Sequence, residues 1–277
     1  MNIMFIGGGN MASAIIGGLI AKGLSKKDIR VIEINSATRE QLNRRFGVAC
    51  FSTVEKEATE GAQVIVLAVK PQHMRQVAVQ LNPLLNGQIV LSIAAGIRLT
   101  DLARWLGSQC TLVRAMPNTP ALIGKGITGL VYYSFPPKSI LSQDQVTTIE
   151  SISNAVGKSI WVSDENEMNA ITAVSGSGPA YVFYFIEALE QAAQELNLPV
   201  ETAHQLALST FVGAAELAAR SSDAISKLRE NVTSKGGTTE AALKSMAKDR
   251  VKEAIIRAVK AANERGRELG EELGKAY

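Results

Sequence analysis

Ten residues near the N-terminus constrain this chain most: Ile3-Met4-Phe5-Ile6-Gly7-Gly8-Gly9-Asn10-Met11-Ala12. An apolar run of strand length stops at three glycines and gives way to a helix-forming stretch. In the spacing Gly7-x-Gly9-x-x-Ala12 the first glycine allows a tight turn and the second lets a pyrophosphate approach the backbone. Ala12, in the third place, lets the helix pack closely on the strand. The pattern alone is common; its place behind a strand and at the opening of a helix makes it specific. The helix start adds free N–H groups and the positive end of its dipole. Ile6, Gly7, Gly8, Gly9, Asn10 and Met11 are therefore candidate ligands of a dinucleotide.

The same alternation continues along the chain. Strands are predicted at 2–6, 29–34, 48–51, 64–69, 88–93, 111–115, 129–133 and 159–162, with helices at 11–22, 38–46, 74–81, 99–106 and 143–156. Strand and helix in turn mean a parallel sheet covered on both faces. The strands after Pro120 come behind longer loops and are expected to extend the sheet antiparallel. Beyond about Ser163 strand-like runs cease. Helices are predicted at 180–195, 200–220, 224–230, 239–248 and 252–273. The fold class is thus α/β: an N-terminal Rossmann-type doubly wound sheet, residues 1–163, and an all-helical C-terminal substrate-binding and dimerisation domain, residues 164–277. Dimerisation is read from 200–220, where Leu206, Leu208, Phe211, Val212, Ala215 and Leu217 make the helix apolar on most sides. Such a helix is buried on most sides, and this half is too short to bury it alone, which favours a dimer partner over a helix central to its own small domain.

Composition narrows the chemistry. The 277 residues are 46% apolar, and 29 basic against 26 acidic residues leave a net charge of +3, with no basic cluster to suggest nucleic acid. Two cysteines, Cys50 and Cys110, and two histidines, His73 and His204, argue against a disulfide framework, a metal centre or a Ser-His-Asp hydrolase. Residues 1–21 are apolar and uncharged but lack the basic start of an export signal. Residues 169–186 carry no charge, yet Asn169, Thr172, Ser175, Gly176, Ser177, Gly178 and Pro179 make them a loop feeding a buried helix rather than a span. The expectation is a soluble, cytoplasmic protein with no membrane or nucleic-acid partner.

Four further places are candidates for cofactor contact. Glu33, at the end of the second strand, stands where an NAD enzyme carries its ribose-binding acid. Asn35, Ser36, Thr38 and Arg39 beside it suit the 2′-phosphate of NADP, provided that Glu33 points away. The reading leans to NADPH, with NADH as the alternative. Ala68-Val69-Lys70-Pro71 and Ala94-Ala95-Gly96 end two later strands, where ligands of such sheets bind. Asn118, between Pro117 and Thr119 after the next strand, is a candidate for a cofactor amide or for capping a turn.

The second ligand is signalled late, in Val232-Thr233-Ser234-Lys235-Gly236-Gly237-Thr238-Thr239-Glu240. Paired glycines ahead of a helix turn N–H groups toward one point, a place for a small anion. Thr238 and Thr239 put two hydroxyls beside it. The plainer reading is a helix cap with Thr238 as capping residue; a dinucleotide site in the same chain favours the ligand.

With these motifs stated, the chain resembles the pyrroline-5-carboxylate reductases. The likeness runs through residues 5–12, 68–71, 92–96 and Arg114-Ala115-Met116-Pro117-Asn118-Thr119-Pro120, then Ala173–Tyr181 and the Gly236–Thr239 loop. The resemblance implies reduction of the C=N bond of a cyclic imino acid to L-proline by NADPH or NADH, the last step of proline biosynthesis. It implies a homodimer, often built further into a ring, with an active site shared between the cofactor domain of one subunit and helical elements of its mate. Thr239 matches the threonine whose hydroxyl meets the ring nitrogen, and Gly237, Thr238 and Thr239 surround the carboxylate. Glu165 and Asn231 match positions that border the substrate. Lys235 departs from a common proline, and Glu55 from a common ribose-contacting asparagine. A β-hydroxyacid dehydrogenase would need a lysine on the first interdomain helix, and none occurs between Ser175 and Lys227. A sensor that binds NADPH without turnover is the other alternative.

Overall fold

A computed structural model describes residues 1–133 and 140–275. By compactness the chain forms two units, Met1–Ser177 with Ala262–Tyr277, and Gly178–Ala261.

The first unit holds eight strands: β1 (Ile3–Ile6), β2 (Ile29–Ile32), β3 (Ala49–Phe51), β4 (Val64–Leu67), β5 (Ile89–Ser92), β6 (Thr111–Met116), β7 (Gly126–Tyr133) and β8 (Gly157–Trp161). They form one sheet in the order β3-β2-β1-β4-β5-β6-β7-β8. Every neighbouring pair is parallel except β6 and β7, so the last two strands run against the first six. The antiparallel extension expected after Pro120 is present. Connecting helices are α1 (Asn10–Ala21), α2 (Ser36–Phe46), α3 (Lys56–Thr59), α4 (Met74–Leu81), α5 (Leu99–Leu106) and α6 (Gln143–Ser153), with the short α7 (Glu167–Ile171) after β8.

Sequence periodicity explains the layering. β1, β4 and β5 are buried throughout, as strands covered on both faces must be. Ile3 and Phe5 point to one face and join Ile16, Leu42, Ile149 and Ile152. Met4 and Ile6 point to the other and join Met74, Leu81, Leu102 and Trp105. Register does the rest. Ile6 pairs with Ile32 on one side and Leu67 on the other, so the turns after β1, β2 and β4 emerge at one edge of the sheet.

The second unit consists of α8 (Gly178–Glu195), α9 (Val200–Arg220), α10 (Ile225–Asn231), α11 (Thr238–Lys248) and the first part of α12 (Val251–Lys275). Two expectations change here. Residues 169–177 are not a loop: α7 runs into a single π turn, Thr172–Gly176, closed by Ser177 N–H on the Thr172 carbonyl at 2.8 Å. Thr172 and Ser175 hydroxyls donate back to the carbonyls of Met168 and Ile171, which favours such a local widening. Nor is the following helix buried within the protomer. No residue of α8 is buried, and Phe183 and Tyr184 are 61% and 71% exposed. On α9 only Ala203 and Ala207 are buried, while Leu206, Leu208, Val212 and Leu217 lie open. An apolar helix surface of this extent marks an interaction site. Among the described residues no helix is long and apolar enough to cross a membrane, and no group of acidic, histidine and cysteine side chains is placed to hold a metal.

Candidate active site

The glycine turn after β1 has a backbone suited to a dinucleotide. Gly7 adopts φ +102°, and a Cβ there would lie 2.6 Å from the Ala68 carbonyl oxygen. Only glycine fits that backbone and that approach. A Cβ at Gly8 would meet Leu42 at 2.5 Å, whereas Gly9 faces open space. No side chain caps α1, so its first N–H groups and dipole end are presented beside Gly9. These residues fit a dinucleotide: Gly9, Asn10 and Met11 would hold its pyrophosphate, over Ile6, Gly7 and Gly8. Gly7→Ala is therefore expected to destabilise the unit by about 2–4 kcal/mol from the clash and positive φ and to weaken dinucleotide binding more than tenfold. Denaturant unfolding and a fluorescence titration check both; unaltered binding in a folded variant would refute the tight-turn role.

The turns after β2, β4, β5 and β6 are less uniform than the sequence implied. Glu33 does not point away. Its carboxylate accepts from the N–H groups of Gly8 and Asn35, each at 2.8 Å. Asn35 caps α2, accepting from Thr38 N–H at 3.0 Å, and Ser36 is exposed in the first turn. Ala68 and Val69 are half-buried beside Gly7, Lys70 is exposed, and Pro71 opens a short 3-10 turn. Ala94 is buried and Ala95 exposed. Gly96, at φ +77°, packs toward Leu273 of α12, which a Cβ would meet at 2.9 Å. Asn118 is buried: its Oδ1 accepts from Ile127 N–H at 2.9 Å and its amide donates to the Ser175 carbonyl at 3.1 Å. One amide hydrogen remains for a cofactor; the rest of the group pins β7 to the π turn.

The late glycine loop sits in the second unit. Gly236 has φ +75° and Gly237 is the cap of α11, with no side chain capping the helix. Thr238 is thus the first helical residue, not the capping one, and half-buried Thr239 is the second. The N-terminal N–H groups of an 11-residue helix, with two hydroxyls alongside, suit a carboxylate. Glu240 braces the loop from behind, accepting from Gly236 N–H at 2.6 Å and pairing with Lys244 at 3.1 Å. Those two bonds hold its carboxyl below the ordinary range. The brace is therefore complete above that range and lost only as pH falls through the lowered value. Glu240→Ala is expected to raise the substrate KM about fivefold with a smaller change in kcat; an unchanged KM would rule out the brace. Asn231, the last residue of α10, is exposed in the same unit.

Glu165 lies in the first unit, in the turn ahead of α7. Its Oε1 accepts from Arg114 at 2.9 Å and from Leu99 N–H at 2.7 Å. Arg114 is almost fully buried at 3% exposure. Sequence reasoning missed this pair, although a lone arginine inside the apolar run 111–116 signals a buried partner. Burial raises the pKa of both thiols, Cys50 above its ordinary value and Cys110 to about 12.

A family model described as pyrroline-5-carboxylate reductase dimerisation matches residues 165–269, and one described as NADP oxidoreductase, coenzyme F420-dependent, matches residues 2–96. A pyrroline-5-carboxylate reductase of Pseudomonas aeruginosa is 43% identical over 88% of this chain and 87% of its own. The chain belongs to the pyrroline-5-carboxylate reductase family. Among solved structures of that family, one from Coxiella burnetii superposes with a TM-score of 0.89 at 40% identity, covering 97% of this chain and 98% of that one. Another, from Plasmodium falciparum with NADP bound, gives 0.83 at 28% identity and 98% coverage of both. The dimerisation model spans α8 and α9, whose apolar surfaces are open in the single chain. Membership in the pyrroline-5-carboxylate reductases thus accounts for the apolar faces as well as for the glycine turn.

Proposed function

We propose that this chain reduces 1-pyrroline-5-carboxylate to L-proline with NADPH or NADH, the last step of proline biosynthesis, in the cytoplasm. Residues 1–163 hold the dinucleotide; residues 164–277 supply substrate ligands and the homodimer contact. Dimers assemble further into a ring, as the resemblance implies. The observation that carries this reading is the pair of helix starts without side-chain caps, α1 behind Gly7–Gly9 and α11 behind Gly236–Gly237. One suits a pyrophosphate and the other a small carboxylate with a polar ring atom beside it.

A nicotinamide bound behind the glycine turn would supply hydride to the C=N carbon. The chain's own part is placement. The N–H groups of Thr238 and Thr239 hold the carboxylate, and the Thr239 hydroxyl orients the imine nitrogen and passes it a proton from water. A protonated imine is already electrophilic, so no strong general acid is needed. His204 is accordingly occupied elsewhere, its Nδ1 on Glu190 at 2.6 Å. Holding reacting groups near contact supplies much of the rate gain. The test monitors cofactor absorbance with pyrroline-5-carboxylate, then with a hydroxy or keto acid. Oxidation of the cofactor with the imine alone supports the reading; oxidation only with a keto acid, or with neither, overturns it.

A further inference from the structure

We propose that Glu33 sets the choice of dinucleotide, accepting a ribose 2′-hydroxyl and penalising a 2′-phosphate, so that NADH binds more tightly than NADPH. This rests on the glycine turn after β1 being the dinucleotide site. Glu33 directly succeeds β2, and its N–H donates to the Phe51 carbonyl at 2.9 Å, so the sheet fixes where its side chain leaves the backbone. The carboxylate then spans the mouth of the glycine turn. Oε2 accepts from Gly8 N–H and Oε1 from Asn35 N–H, both at 2.8 Å. Two backbone bonds hold a full negative charge where a doubly wound fold receives its ribose, and each oxygen keeps a lone pair for a hydroxyl donor.

The surroundings favour the same sign. A cleft of about 580 Å³ beside the turn is lined by Glu33 and by exposed Glu55, with His73 the sole basic side chain among its lining residues. Of the four groups that suit a phosphate, Ser36 stands exposed at the α2 start and the other three make local bonds, Thr38 through its hydroxyl on Asn35 Oδ1. Asn35 Oδ1 faces the α2 N–H groups as cap. Arg39 Nη1 donates to the carbonyls of Glu33 and Ile34 at 2.7 and 2.8 Å, which directs the guanidinium at the backbone. A 2′-hydroxyl would donate to Glu33. A 2′-phosphate can only accept, and it brings charge of the same sign to a fixed carboxylate. Discrimination of this kind works through the repulsive element.

The experiment is a fluorescence titration of the whole purified protein with NADH and with NADPH, in the absence of imine. The wild type is expected to bind NADH about tenfold more tightly, the effect of one like charge near a protein surface. Glu33→Gln, which keeps an acceptor but no charge, is expected to bring the two affinities within about threefold. Glu55→Gln should move the ratio the same way by less. NADPH binding as tightly as NADH in the wild type overturns the proposal, whether or not the variant folds. A folded E33Q protein in which both affinities change equally also overturns it, because Glu33 then only braces the loop. Binding of neither dinucleotide defeats the cofactor reading as well.

Discussion

Replacing Thr239 by valine is expected to lower kcat by about 10²-fold, or about 2.7 kcal/mol of transition-state stabilisation, while KM for the imine changes less than threefold. Valine keeps the β-branched shape and the χ1 restriction of threonine within a helix, so the α11 start stays as it is. On the proposed reading the carboxylate is held by backbone N–H groups, which no side-chain change removes. What disappears is the hydroxyl proposed to orient the ring nitrogen and relay its proton, a contribution that would be felt in turnover more than in binding. Thr239→Ser, which restores the hydroxyl, should recover most of the loss. Steady-state kinetics with pyrroline-5-carboxylate decide it. A valine variant with wild-type kcat would show that the helix start and the cofactor suffice.

Glu165→Ala is expected to destabilise the first unit by about 3 kcal/mol, since removing one member of a buried pair strands the other. Arg114 is buried in the middle of β6, and Leu99 N–H at the start of α5 loses its acceptor as well. The partial exposure of Glu165, 23% of its side chain, keeps the figure at the low end. The double variant Arg114→Met with Glu165→Ala leaves no orphaned charge and should recover more than half of the loss. Denaturant unfolding of the two single variants and the double variant checks this. Additive losses would mean that the pair is not coupled. The imine KM of the folded double variant separates two roles for Glu165. The resemblance puts it beside the substrate, whereas its bonds in the structure serve the fold.

Much of the fold was legible because its signals are local. The alternating strands and helices came from period and punctuation. Gly7 and Gly9 announced the first turn through a backbone that other residues cannot adopt or approach. The all-round apolar pattern of α9 announced a partner before any helix was placed. The late glycines announced a helix start, though not that Gly237, rather than Thr238, is its cap; that depends on a one-residue choice of backbone angle. The π turn at Thr172–Gly176 was hidden because the Ser175-Gly176-Ser177-Gly178 run at its end reads as a loop, whereas backbone bonds such as Ser177 N–H to the Thr172 carbonyl keep the segment helical.

The sequence by itself determined the class of fold and pointed to a dinucleotide, a small anionic ligand and a partner subunit, since all of these rest on patterns carried by neighbouring residues. The tertiary structure alone decided where individual polar groups point. Glu33 turned to Gly8 rather than away, Asn118 was drawn to Ile127 and Ser175, and Glu165 was joined to Arg114, fifty-one positions earlier in the chain. Such choices depend on which strands lie side by side and in what register. A hydrogen bond between distant residues leaves no period in the sequence to read.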